Sequence, residues 1–397
     1  MIDRFSQQFA IYVLFAIAAG IMVVTGPREA WGATIRVAAD GTGDYTSLFD
    51  GIDAAQDGDT VSIAPGEYTE PQWTNPSGLF AFEAMGIVWA SNVTVIGDDR
   101  DAVRIGPATS PPVLQGDDIW GLGAANGAGG VIFESMTLRN LSQAIFDGDS
   151  APTIRDCRFV GNDLGVSQFG LGRFDIRDCE FVDNIQGIVA FNGFGAREVY
   201  IADCTFVDQV DEAIQIQSPT SEVANCQITG GKIGISTALG GQLLLHGTTI
   251  SNASFYGIYI GDGAAASIYT CIFDGAMQYS AFVEGSIIAR DVLFGGGSVE
   301  TLHFGAPFLV DMFGNHILNA GALSVYAGGS QFEPRTIDLS SNWWGTSDLD
   351  QIEEWIHHAP DDPTGNGLTV DYVPIYLGPV PVDESSVGAL KSSFLRN

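Results

Sequence analysis

IRDCRFVGN at 154–162, IRDCEFVDN at 176–184 and IADCTFVDQ at 201–209 say nearly the same thing three times, and the rest of the chain falls into place around that repeat. Each copy is followed by a small residue and then an apolar one: Gly165-Val166, Gly187-Ile188 and Ala213-Ile214. The same pair precedes the copies as Ala144-Ile145 and continues beyond them as Gly234-Ile235, Gly257-Ile258 and Ala281-Phe282. Seven pairs at intervals of 21 to 26 residues fit a solenoid, whose units cannot bury an apolar face alone and must stack on one another.

Within each copy, alternation with period two orients the side chains. Cys157 and Phe159 are expected to point inward and Arg158 outward. The equivalent inward pairs are Cys179/Phe181, Cys204/Phe206, Cys226/Ile228, Thr248/Ile250 and Cys271/Phe273. Like residues then stack on like, as parallel strands one rung apart require. The outward sets are Arg158, Glu180, Thr205, Gln227, Thr249 and Ile272 on the cysteine strand, and Ser167, Val189, Gln215, Ser236, Tyr259 and Val283 after the small-apolar pairs. These outer faces read as neutral and small.

Composition agrees with an all-β chain. Hydrophobic residues make up 46%, with 50 Gly, 24 Phe and only 16% charged residues, which suits short buried strands between tight turns. Acidic residues outnumber basic ones 48 to 16, for a formal charge of −32, which excludes a passive electrostatic surface for nucleic acid. The same charge repels a polyuronate unless a cation such as calcium bridges the two; no other cofactor is indicated. Five cysteines, an odd number that coincides with an inward ladder, read as buried reduced thiols rather than a disulfide framework, and no spacing among them suggests a metal site.

Along the chain, residues 1–33 hold an apolar run from Phe9 to Val24 and small residues at Ala30 and Gly32, the pattern of a signal peptide, with an uncleaved anchor as the rival. Residues 34–70 begin with a strand, a DGTGD turn and a short helix near Ser47 to Gln56 with Leu48, Ile52 and Ala55 on one face, fit to lie over an open first coil. The DGTGD turn lacks the Lys and the spacing of a phosphate-binding loop. Residues 71–130 are irregular early coils with insertions, 131–335 regular coils, 336–378 a closing segment that breaks the period, and 379–397 a Pro-containing tail.

Gly41, Thr42, Gly43, Asp44 and Tyr45, followed by Gly58, Asp59, Thr60, Val61, Pro65, Gly66 and Tyr68, resemble the N-terminus of right-handed parallel β-helix proteins of the pectin-lyase-like superfamily. Asn342, Trp343, Trp344, Gly345 and Thr346, then Ile352, Ile356, Asp361, Asp362, Val370, Tyr372 and Pro374, resemble the closing segment of secreted β-helix repeat proteins. The resemblance implies a single-stranded right-handed parallel β-helix with a helical N-terminal cap. It says nothing of the chemistry, since the N-T-D, G-H-G and R-I-K set of the polygalacturonases, the R-x-P-x-x-R of the pectate lyases and the D-P-H-E of the mannuronan epimerases are all missing.

Candidate residues follow from placement alone. Asp156, Asp178, Asp203 and Asn225 form a ladder at the bend before each cysteine, flanked by Arg155, Arg177 and His246; stacked carboxylates repel unless paired, and the Arg residues offer pairing. Asp and Asn also satisfy turn backbone, so a structural role competes with a catalytic one for Asp178 and Asp203. Asp211 and Glu212, with Asp208 nearby, occupy the longest rung and are a second candidate against a solvated turn. Trp73, Trp89 and Trp120, with Phe80 and Phe82, are candidates for a sugar platform against a role as local loop core. The five His share no rung or metal spacing, and His357-His358 are expected in the closing helix facing solvent. Two functions remain: an exported, monomeric protein at the cell surface or secreted, binding an extracellular polysaccharide or cell-surface glycan or serving as surface structure; and a polysaccharide lyase or glycoside hydrolase with a non-standard active site.

Overall fold

The computed structural model describes residues 32–379 except 75–81, 110–118, 126, 148–149, 169–171, 192–197, 276, 306, 308, 320, 329–334 and 359–367. The protein is all-β, a right-handed parallel β-helix, and the chain divides into two compact units, one running to Tyr200 and one from Ile201. Both are built on the same coil: a strand in a first sheet, a tight turn, a three-residue strand in a second, another turn, and a strand in a third. In the first unit one coil reads Thr153–Arg155, Arg158–Val160 and Leu164–Gln168; in the second, Gln242–His246, Thr249–Ser251 and Tyr256–Ile260. The coil strands pair in parallel with their counterparts one coil away, as in Phe159 opposite Phe181 and Phe273 opposite Phe294, while Gln72–Thr74 at the sheet edge runs antiparallel to Phe82–Val88.

The expected inward residues are all buried: Cys157, Phe159, Phe181, Cys226, Ile250 and Phe273 are at most 1% exposed. Phe159 and Phe181 stack with centroids 4.6 Å apart, and Phe273 and Phe294 with centroids 5.3 Å apart. Each such ring contributes roughly 1.5–3 kcal/mol of burial, and on other coils Ile228 and Ile250 fill the same position. The helix α1 (Leu48–Asp53), capped by Ser47 whose Oγ accepts from the Asp50 amide, buries Leu48, Gly51 and Ile52. It lies close on the strand Phe82–Val88 because Gly86 has no Cβ there; one would stand 2.5 Å from Ile52 Cδ1.

The turns explain the polar ladders. Asp156 and Asp178 in the first unit, and Asp203, Asn225 and Thr270 in the second, all have φ between +49° and +55°. Asp and Asn tolerate this left-handed conformation better than other non-glycine residues, so these positions are built for the bend. The flanking Arg and His residues do not pair with the ladder as expected. Arg155 pairs with Glu134 at 2.7 Å, Arg177 with Asp175 at 2.6 Å and His246 with Glu222 at 2.9 Å, because they end first-sheet strands and reach along the outer face of that sheet. At the second turn a side chain and a missing side chain alternate: Asp208 is followed one coil on by Gly230, and Asn252 by Gly275, where a Cβ would stand 1.9 and 2.3 Å from the carboxyl or amide oxygen.

The cysteine row carries more than small apolar volume. The thiols of Cys157, Cys179, Cys204, Cys226 and Cys271 each donate to the carbonyl two residues back, at 3.1 to 3.4 Å. Thr248, in the same row, donates its hydroxyl to His246 O at 3.2 Å and accepts from the Cys226 amide at 3.2 Å. Asn315 repeats both bonds, to Phe313 O at 3.2 Å and from Val292 N at 3.1 Å. Most of the row thus places a compact donor over a left-handed turn, supplied by Cys, Thr or Asn, while Val292, which follows left-handed Asp291, fills its place with apolar volume alone. All five cysteines are free thiols.

One rung is displaced from the expectation. Ala281 pairs with Ile258 and faces inward, Phe282 pairs with Tyr259, and Val283 pairs with Ile260 in the core at 0% exposure. The inward residue here is the small one, so the outward residue is Phe282 and not Val283. The next pairing carries a register shift between Met277 and Tyr279. Nor do His357 and His358 lie in the closing helix α2 (Leu349–Glu354): His357 belongs to the strand Ile356–His357, and His358 is buried, its Nδ1 accepting from Val370 N at 3.1 Å.

The bonds of the cysteine row are testable at Thr248. Thr248→Val keeps shape but strands the buried Cys226 amide, and is expected to destabilise the protein by about 1–3 kcal/mol. Thr248→Ser keeps the hydroxyl that makes both bonds and should melt well above the valine variant; equal melting temperatures would show that the bonds contribute nothing.

Candidate functional site

The outer face of the third sheet in the second unit changes character part-way along. Gln215, Ser236 and Tyr259 occupy one register position on successive coils, and the position continues as Phe282, His303, Tyr326 and His357. Two small polar residues are thus followed by five rings, one per rung. A second outward row runs Tyr256, Tyr279, Glu300. It lies three residues before the first because Gly257 and Ile258 are both buried between Tyr256 and Tyr259, which interrupts strict alternation.

The rings form two arrangements. Phe282 and His303 stack at 4.1 Å and 8°, His303 and Tyr326 at 4.8 Å and 17°, and Tyr326 and His357 at 5.0 Å and 9°. Rings stacked in this way cover one another's faces and leave their edges for a ligand. Around Tyr256 the rings are inclined instead: Tyr256 to Tyr279 at 43°, Tyr256 to Phe282 at 55°, Phe255 to Tyr279 at 85°. From Tyr259 to His357 the row covers four rung steps, about 19 Å at ~4.8 Å per rung.

Two carboxylates are built into this face. Tyr259 donates its hydroxyl to Glu284 Oε2 at 2.6 Å, and His303 Nδ1 lies 2.6 Å from Glu300 Oε2. Burial raises the Tyr259 pKa above the ordinary phenol value, and the bond to Glu284 and its charge raise it further. Burial also raises Tyr256 and Tyr279, helped by Tyr279 and Glu284 for the first and by Glu300 for the second. With Nδ1 engaged, His303 keeps Nε2 for another partner, and the Glu300–His303 pair has the form of a base held by a carboxylate.

The residues expected from sequence are elsewhere. Asp178, in the first unit, is exposed at a left-handed turn; Asp203, in the second, holds the same kind of turn and accepts from Asn225 Nδ2 at 3.2 Å. Asp211 pairs with Lys232 at 2.8 Å, and Glu212 opens the strand Glu212–Ile216 opposite Ile233. Trp120, in the strand Ile119–Ala124, is 7% exposed and packs on Phe82 and Phe146, with centroids 4.4 and 4.9 Å away, in a buried cluster between strands. Trp73 and Trp89 are exposed, at 71% and 45%, but do not meet: Trp73 pairs with Glu83, and Trp89 lies six residues further along, about 20 Å at ~3.3 Å per residue. Phe80 lies outside the described residues, as do residues 1–31.

Sequence reasoning placed Tyr259 outward but missed its neighbours. The signal was present: Tyr259, Phe282, His303 and Tyr326 fall 23, 21 and 23 residues apart, within the interval of the repeat. Among the described residues no three His, Cys, Asp or Glu side chains gather to hold a metal ion, and no helix is long and apolar enough to cross a membrane.

Residues 194–291 match the family model described as "Right handed beta helix region". No curated protein matches the sequence. Among solved structures, the catalytic domain of a GH87 alpha-1,3-glucanase, a D1069A variant in complex with tetrasaccharides, is similar at 12% identity and a TM-score of 0.56, over 89% of this chain and 70% of that one. The A-module of a mannuronan C-5 epimerase from Azotobacter vinelandii is 12% identical over 84% of this chain and 94% of its own, with a TM-score of 0.47. Pectin methylesterase from carrot is 15% identical over 88% and 90%, with a TM-score of 0.32. The glucanase likeness bears on the fold and supports the parallel β-helix.

The phenols of the aromatic face give it a pH signature. Their folded pKa values are raised, so their contribution to stability is complete below about pH 10, the ordinary tyrosine value, and is lost as pH rises through the folded values. A Tyr256→Phe, Tyr259→Phe, Tyr279→Phe triple variant is expected to show a shallower fall in unfolding free energy above pH 10 than the wild type. Parallel curves would contradict the buried, carboxylate-facing environment assigned to these rings.

Proposed function

We propose that this chain is an exported glycan-binding β-helix protein, and that its binding surface is the aromatic face around Tyr256, Tyr279 and His303. The observation that carries this is the change along one register row from Gln215 and Ser236 to five consecutive rings. A face that needed only solvation has no reason to change so. Inclined rings suit the C–H side of a pyranose, and phenol edges, an imidazole edge and carboxylates suit its hydroxyls. A strip of about 19 Å matches an extended oligosaccharide better than a single sugar. The glucanase domain that shares the fold was observed with tetrasaccharides, which agrees in kind with this reading. Export rests on the apolar run Phe9 to Val24 with Ala30 and Gly32 after it, and an acidic surface suits a protein kept soluble outside the cell.

A second reading, catalysis on a polysaccharide, is favoured by one observation, the Glu300–His303 pair at 2.6 Å in the middle of that face. A glycan array run with and without calcium, followed by reducing-end and unsaturated-uronate assays on every binder, separates the two. Binding without turnover, weakened at least about tenfold by Tyr256→Ala or Tyr279→Ala but not by Trp73→Ala, is the expected result. Turnover abolished by His303→Ala would replace binding with catalysis. Binding lost on mutating Trp73 or Trp89 alone would move the surface to the early coils.

A further inference from the structure

We infer that the aromatic face selects uncharged glycans and rejects polyuronates, with Glu284 and Glu300 as the specificity-determining residues. This rests on the binding surface proposed above and adds the class of its ligand. Every strand that supplies the face, Tyr256–Ile260, Met277–Val283, Gly297–Phe304, Leu323–Ala327 and Ile356–His357, is free of Lys and Arg. Between Lys232 and Lys391 the sequence has only two such residues, Arg290 and Arg335. Arg290 ends a first-sheet strand, where it pairs with Asp311 at 2.6 Å and lies 3.5 Å over the Phe313 ring. Arg335 opens the strand Arg335–Asp338, which pairs with Leu368–Asp371 outside the three main sheets.

The carboxylates are fixed within the face. Glu284 is held by the Tyr259 hydroxyl at 2.6 Å, and Glu300 by His303, its side chain 12% exposed among Tyr279, His303 and the sheet. A charge held in a partly desolvated site repels a like charge far more strongly than one in free solution. Discrimination then comes from a repulsive element as well as an attractive one. A hydroxyl-rich neutral chain meets no such penalty, because a carboxylate oxygen accepts from sugar hydroxyls as readily as water does.

The experiment is calorimetric titration of the full chain at neutral pH, calcium-free, with neutral hexose tetrasaccharides of gluco-, manno- and galacto- type and with tetragalacturonate, each at low and high salt. At least one neutral tetrasaccharide is expected to bind at least about tenfold more tightly than tetragalacturonate at low salt, and screening should narrow the gap. Glu284→Gln with Glu300→Gln is expected to narrow it too, once a circular dichroism spectrum and melting curve show the variant folded. Salt also screens the repulsion set up by the overall charge of −32, so the substitutions decide the role of the two carboxylates, and Glu284→Gln and Glu300→Gln made singly keep the test decisive if the double variant does not fold. Tetragalacturonate binding as tightly as the best neutral chain at low salt, or a gap indifferent to the substitutions, would overturn the inference while leaving the glycan surface in place. Failure of all four ligands to bind would overturn the surface itself, and the selectivity with it.

Discussion

In a parallel β-helix each strand bonds to its counterpart one coil away, so the nearest neighbour of a side chain is the residue at the same register position. The constraint makes any choice a row rather than a point. An apolar side chain in the core asks for another above it, as Phe159 and Phe181 show, and a side chain over a turn asks the next coil for room, as Asp208 and Gly230 show. Everything that distinguishes this chain is written along such rows.

The turns set the polar rows. A left-handed residue between the first and second sheets leaves backbone groups near the core, and at most coils the row after it meets them with a thiol, a hydroxyl or an amide, Met136 and Val292 being apolar exceptions. Cys226 Sγ, Thr248 Oγ1 and Asn315 Nδ2 each donate to the carbonyl two residues back. At the second turn Asn162 and Asn184 are joined at 2.9 Å, and Asn162 and Asn184 also donate to Leu138 O and Phe159 O, both at 3.1 Å. Buried polar groups of this kind are tolerated because their hydrogen bonds are complete along the row.

How much of this could be read from the sequence follows from the same logic. The inward Cys and Phe row was legible because three nearly identical copies fix its phase, and alternation then extends it to Ile250 and Phe273. The phase slipped at Ala281-Phe282, where the core takes the small residue and the outside the large one, so hydrophobicity pointed the wrong way by one residue. The aromatic face was hidden because its members are of three types, Tyr, Phe and His, and because the last step, Tyr326 to His357, passes through α2 and so breaks the interval. The pairing of Arg155 and Arg177 was out of reach, since neighbours in sequence at the end of a strand leave on different sides. Asp178, Asp203 and Asp211 looked chemical by residue type, and their φ values and partners place them in turns and a surface ion pair.

A row that turns from Gln215 and Ser236 into Tyr259, Phe282, His303, Tyr326 and His357 departs from what folding alone asks of the outer face, and it gathers rings, phenols and two carboxylates within one strip. The measurement that tests this most directly is a crystal structure of the full chain soaked with the tightest-binding neutral tetrasaccharide. Sugar density lying along the third sheet of the second unit, with rings against Tyr256 and Tyr279 and hydroxyls on Glu284 or Glu300, is the predicted result. Ordered sugar on Trp73, on Trp89 or at Asp211, with the aromatic face bare, would contradict it.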